Sequence, residues 1–212
     1  MAFATIGTRG IQAQSVDLSS KVTGTLPVPN GGLGIASGTT GQFLKFTGTE
    51  TLAPAEAGGG ITEADQWRIT TSWNGSANPI TSNWERNDTV FDKIGTGMTQ
   101  SSGNFTFPST GIYKVEFILP CSKGSGDTQY AAAKINVTTD NSNYELRATN
   151  YAFINEAGGE TYSGVYCCAI VDVTDTSNVK VQFGVVNQSA TDFYGDTNNN
   201  KTTATFIRLG DT

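Results

Sequence analysis

Histidine is absent from the 212-residue chain, and cysteine occurs only at Cys121, Cys167 and Cys168. The first absence excludes His-based catalytic triads, His-ligated zinc or haem, and an imidazole acid–base group at neutral pH. The cysteines form no Cys-x-x-Cys pair and have no metal-ligand spacing, and two are chain neighbours, which bridge only with strain. They read as small hydrophobes buried on strands. Charge is scarce as well: 15% of residues are Asp, Glu, Lys or Arg, against about 25% in an average domain. With 13 basic and 19 acidic residues the net charge is −6, which lacks the positive footprint of a nucleic-acid partner. No apolar run approaches the roughly 18–20 residues of a membrane span. The opening Met1–Arg9 has no basic stretch followed by an apolar block, so no secretory signal is read there. A soluble protein made in the cytoplasm, with no membrane insertion, is expected.

Glycine is plentiful, 25 residues in all, and its distribution divides the chain. Residues 1–64 hold 12 glycines but only three aromatics, Phe3, Phe43 and Phe46. So few large apolar side chains do not offset the entropy of ordering an isolated globule. Short alternations such as Val16-x-Leu18, Leu26-x-Val28, Leu33-x-Ile35 and Phe43-Leu44-x-Phe46 lie between Pro27, Pro29, Asn30-Gly31-Gly32 and Gly38. They predict an extended stem over residues 1–60 that orders against copies of itself or a larger assembly. Gly58-Gly59-Gly60 opens a flexible joint, and residues 61–64 serve as linker.

Residues 65–212 carry every tryptophan and tyrosine. Trp67-x-Ile69-x-Thr71-x-Trp73 alternates with period two, and Ile80–Arg86 and Thr89–Ile94 follow as short pieces. Phe105 and Phe107 lead into the turn Pro108-Ser109-Thr110-Gly111. The following strand, Ile112–Leu119, places Tyr113, Val115 and Phe117 on one face. Further strand patterns span Tyr130–Thr138, Tyr144–Phe153, Tyr162–Val173, Val179–Val186 and Thr203–Leu209, with Gly-, Asn- and Asp-rich turns between them. Eight to ten strands at this spacing, with no helical period, predict an all-β antiparallel sandwich or barrel. Ala131-Ala132-Ala133 runs unbroken into Ile135-Asn136-Val137 and is read as strand.

Phe105-Thr106-Phe107-Pro108-Ser109-Thr110-Gly111-Ile112-Tyr113-Lys114-Val115-Glu116-Phe117 resembles the signature of the jelly-roll superfamily that contains tumour necrosis factor and the complement-q globular heads. Phe105, Gly111, Tyr113 and Phe117 match it. Val115 replaces the middle Phe, Met98 stands where an aromatic or Leu is usual, and Asp92 is one place off register. Thr203–Leu209 resembles the superfamily's last strand. The resemblance implies a jelly-roll knob with Phe105, Tyr113, Val115 and Phe117 in the sandwich core and Gly111 at the turn. A second resemblance lies in Val22-Thr23-Gly24-Thr25-Leu26-Pro27-Val28-Pro29-Asn30-Gly31-Gly32-Leu33-Gly34, similar to an element common in bacteriophage tail fibres, with Leu33 replacing a Thr. Gly41–Lys45 and Ala53-Pro54-Ala55 resemble the segment that follows it. Together the two imply a trimeric phage fibre or spike.

Several residues are candidates for that work. In Tyr162–Val173 one face carries Val165, Cys167, Ala169 and Val171 while the other carries Tyr166, Cys168 and Ile170. A strand in a two-sheet sandwich needs one apolar face, so a second asks for a partner. In Thr203–Leu209 Phe206 likewise falls opposite Ile207 and Leu209, so Tyr166, Ile170 and Phe206 are expected at a homotrimer interface. The polar connection Asn187–Asn200 contains Phe193 and Tyr194, an adjacent aromatic pair suited to stacking on a host-surface sugar. Asp127, Asp140, Asp192 and Asp196 are potential calcium ligands, but no run matches a calcium loop, and they read as solvated turn carboxylates, with no metal or other cofactor expected. Glu156 and Glu160 flank Gly158-Gly159, yet chain proximity is not a hydrolytic cleft, and no enzyme is expected. The expected role is a virion structural protein: residues 1–60 contact other virion proteins, and the knob contacts a host-surface glycan or protein. The alternative is a capsid decoration or head-fibre protein serving assembly and shell stability.

Overall fold

The computed structural model describes residues 42–48, 51–56, 60–155 and 157–212. Residue contacts divide the chain between Gly60 and Ile61. In the first unit, β1 (Gln42–Gly48) and β2 (Thr51–Glu56) form an antiparallel hairpin in which Leu44 opposes Pro54 and Phe46 opposes Leu52. Phe43, Leu44 and Phe46 are exposed. The alternations expected at Val16–Ile35, the fibre-like element at 22–34 and Glu156 lie outside the described residues.

The second unit begins with short strands: β3 (Ala64–Ile69), β4 (Trp73–Asn74), β5 (Trp84–Arg86), β6 (Lys93–Ile94), β7 (Thr99–Ser101) and β8 (Asn104–Thr106). Longer ones follow: β9 (Gly111–Lys123), β10 (Thr128–Thr138), β11 (Glu145–Ile154), β12 (Thr161–Val173) and β13 (Lys180–Asn187). The dipeptide β14 (Asp192–Phe193) and β15 (Thr203–Gly210) complete the series. No helix occurs among the described residues. All pairings are antiparallel and build two sheets. The larger runs β4-β14-β9-β15-β3-β5, with β12 also on β9 and β6 also on β3. The smaller runs β11-β10-β13-β8-β7. The chain passes from one sheet to the other at β6–β7, β8–β9, β9–β10, β11–β12, β12–β13 and β13–β14, which is jelly-roll connectivity.

Alternation decides the core. On β9 every odd residue from Tyr113 to Cys121 points inward, and on β13 Val181, Phe183 and Val185 do so from the other sheet. Between them lie Phe105, Phe117, Phe183 and Phe206, with ring centroids 4.9 Å apart for Phe117–Phe183 and 5.3 Å for Phe105–Phe206. Trp84 meets Phe105 edge-on at 5.0 Å. Met98, standing in place of the superfamily's aromatic, is fully buried in the same cluster. Ala131 and Ala133 face this core on β10, where their small side chains suit a crowded layer.

Gly111 opens β9 at φ +140°. A Cβ there would stand 2.5 Å from Arg208 Nε and 2.6 Å from the Gly210 carbonyl, so the residue is fixed by both conformation and space.

Candidate functional site

β12 lies against β9 in unbroken register over its whole length, from Thr161 opposite Lys123 to Val173 opposite Gly111. Opposed residues share a face. Val165, Cys167 and Val171 point into the sandwich beside Leu119, Phe117 and Tyr113. Tyr166, Cys168 and Ile170 point away from it beside Ile118, Glu116 and Lys114. The result is an apolar strip on the outward side of the larger sheet. Tyr166 is 46% exposed, Ile170 61% and Ile118 47%. On neighbouring β15 the outward position beside Lys114 is Ile207, and Leu209, past a register shift, is exposed.

A polar chain crosses this strip. Tyr166 Oη donates to Glu116 at 2.6 Å, and Lys114 Nζ lies 2.8 Å from the same carboxylate. Partial burial raises the Glu116 carboxyl, but the bonds from Lys114 and Tyr166 outweigh it and leave it below its ordinary value. The carboxylate in turn pushes the Tyr166 hydroxyl well above the usual phenol range. Tyr166 thus stays a donor and Glu116 an anion at neutral pH, which fixes the orientation of the ring.

Phe206 is not part of this surface. It is 1% exposed and points into the sandwich, opposed by Val115 on β9 and Asp65 on β3, with its ring 5.7 Å from Phe183. Phe206 and Ile207 do occupy opposite faces of β15, but the larger ring fills the inter-sheet layer and Ile207 takes the outward position. A second exposed group, unforeseen in the sequence, lies on the smaller sheet's edge strand. Tyr151 and Phe153 point outward from β11, and Tyr151 meets Tyr130 edge-on at 6.1 Å.

The pair Phe193–Tyr194 also departs from expectation. Phe193 belongs to β14, opposed by Cys121 on β9 and Trp73 on β4, and is 0% exposed. Its ring lies 5.2 Å from that of Trp73, so it serves packing and not recognition. Tyr194 is half-buried, with its ring stacked on the exposed Tyr162 at 6.0 Å. Its hydroxyl meets Ser122 and donates to Glu160 at 2.7 Å. Glu160 accepts from Tyr194, Ser122 and Tyr162, and these bonds hold its carboxyl below the ordinary value.

The turn aspartates are occupied locally. Asp196 accepts the Asn198 and Asn199 N–H groups, Asp140 those of Ser142 and Asn143, and Asp192 the Asn74 amide. Among the described residues no three Asp, Glu or Cys side chains gather as a metal site. Burial pushes the Cys121 thiol up to about 11 and the Cys167 thiol up to about 12, the opposite of an activated nucleophile.

No protein-family profile and no curated protein matches the chain. Among solved structures, murine APRIL is similar to 69% of this chain and 98% of its own length, with a TM-score of 0.52 at 11% identity. Eiger TNF from S. frugiperda covers 72% of this chain and 95% of its own, with a TM-score of 0.47 at 12% identity. At such identity the likeness to APRIL speaks for the fold alone: the sandwich is a jelly roll of the tumour necrosis factor type.

Proposed function

We propose that the chain is a structural protein of a bacteriophage particle, a homotrimeric fibre or spike that attaches to the host cell surface. The observation that carries the reading is the outward strip of Tyr166, Ile118 and Ile170 on the larger sheet. Large side chains that are about half exposed, as these are, gain on the order of 1 kcal/mol each when the rest of their apolar surface leaves water. A ring of three subunits needs heterologous contacts, in which one patch meets a different one on the neighbour. The strip on β9 and β12 and the group Tyr151–Phe153 on β11 supply two such patches. The fold type agrees, because the superfamily resembled by Phe105–Phe117 is built around trimers. The phage assignment rests on residues 22–34 and their similarity to a tail-fibre element. In this reading residues 1–60 anchor the trimer to other virion proteins, and three sandwich units face the host, where repeated weak contacts add up to avidity.

Light scattering on the purified full chain tests assembly. A mass three times the 22.3 kDa of one chain is expected, falling to one chain in the double variant Tyr166→Glu, Ile170→Glu. A monomeric wild type at micromolar concentration overturns the trimer. Adsorption of the labelled protein to host cells tests attachment. A particle image with the chain confined to capsid lattice sites replaces attachment by shell decoration.

A further inference from the structure

The outward side chains of β7, β8 and β13, with the turn between β10 and β11, enclose a groove of about 590 Å³. That volume falls within the roughly 300–1,000 Å³ of small-ligand sites, but the lining is not their usual apolar one. It consists of hydroxyls such as Thr99 and Thr106, the amides of Asn104 and Gln182, the Tyr144 phenol and the Lys180 ammonium. No carboxylate and no aliphatic side chain lines it.

Two of these groups are held in a defined orientation. Asn104 Oδ1 accepts from the Tyr144 hydroxyl at 2.7 Å and from Gln182 Nε2 at 2.8 Å. With both lone pairs taken, Asn104 presents only its Nδ2 donors to a ligand, while Gln182, fixed by the same bond, presents Oε1 as an acceptor. A donor and an acceptor side by side on neighbouring strands match vicinal hydroxyls, each of which both gives and takes a hydrogen bond. Lys180 stands opposite Thr106 across the β8–β13 pair, and its Nζ donates to Asn141 Oδ1 at 2.6 Å, with two N–H bonds left over. The lining offers an anion one ammonium and no carboxylate, and the nearby Asp140 carboxylate is taken up by the Ser142 and Asn143 N–H groups of its own turn.

We propose that this groove binds an oligosaccharide carrying a carboxylate, a sialic or uronic acid. Asn104 and Gln182 bind its vicinal hydroxyls and Lys180 its carboxylate. The groove strands β7, β8 and β13 lie in the sheet opposite the Tyr166–Ile170 strip, toward the β7 edge, whereas Tyr151 and Phe153 are on β11 at the other edge of that sheet. The inference deepens the attachment reading and rests on it for its biological sense.

Calorimetric titration of the full chain with sialyllactose and trigalacturonate, against neutral lactose and maltotriose, tests it. At least one acidic saccharide is expected to bind, about tenfold more weakly in Lys180→Gln, as for loss of one charge-assisted bond. Thr99→Trp, which fills the groove from an exposed position, is expected to abolish binding. The proposal is overturned if neither acid binds at millimolar concentration, if neutral saccharides bind equally well, or if Thr99→Trp binds normally. The mass of the same sample keeps the two readings apart. A monomer that binds removes the trimer and leaves the groove, and a trimer that does not bind removes the groove and leaves the trimer.

Discussion

Phe206 and Ile207 are chain neighbours with opposite surroundings, and they show what one position on a strand is worth. Phe206 touches Phe105, Phe107 and Phe183 in a closed layer, so Phe206→Ala should cost about 3–5 kcal/mol, read as a lower urea midpoint. Ile207 lies on the outward face, and Ile207→Ala should cost less than about 1.5 kcal/mol in the same measurement. At Gly111 the obstacle is the backbone itself. Gly111→Ala places a methyl against Arg208 and Gly210 at φ +140° and should cost about 1–3 kcal/mol. Asp196 gives a pH signature. Backbone N–H groups of Asn198 and Asn199 lower its carboxyl to about 2 from an ordinary 3.8. A carboxyl depressed on folding adds stability that is complete above the unfolded value and is lost as the pH falls through the folded one. The melting temperatures of wild type and Asp196→Ala should therefore differ at neutral pH and converge between pH 3.8 and about 2.

The elements differ in how far they announce themselves. Strands β9 to β13 are long enough for period-two alternation to emerge, and Tyr130–Thr138 or Tyr162–Val173 differ from β10 and β12 by at most two residues at an end. The dipeptide strands β4, β6 and β14 have no period to read. The alternation Trp67–Trp73 breaks after Ile69, because the segment at Gly195–Asp196 inserts there: Asp196 N–H donates to the Ile69 carbonyl at 2.8 Å, and Gly195 lies against the Thr71 backbone. Phe193 was hidden for a related reason. Its partners, Cys121 and Trp73, are remote in sequence, while its chain neighbours are Thr191, Asp192, Tyr194 and Gly195. Alternation also tells which residues share a face without telling which face is inside, and that is how Phe206 came to be expected on the surface. Asp65 was equally unannounced. It is buried on β3 and accepts from Arg86 on β5, from Trp67 Nε1 and from the Met98 N–H, tying the strand to the chain that crosses toward β7. Asp65→Asn leaves the partly buried Arg86 without its counter-ion and should cost about 3 kcal/mol in a denaturation experiment.

At the scale of the molecule, the sandwich has its own aromatic core but carries large apolar side chains on its solvent side, so its measured stability should depend on protein concentration. In an oligomer that unfolds to monomers the melting temperature rises with concentration. Dilution series of wild type and of Tyr166→Glu, Ile170→Glu should separate, with only the wild type shifting. The order of strands carries a further consequence. β15 lies between β9 and β3 in the larger sheet, pairing with residues such as Asp65 that lie far earlier in the chain. Its residues are synthesised after those of every other strand of this sheet, yet they occupy its middle. During translation, β3 and β9 therefore emerge with facing edges unfilled and wait for Thr203–Gly210 to leave the ribosome. A nascent chain stalled before Thr203 should remain protease-sensitive, and one released beyond Gly210 should become resistant.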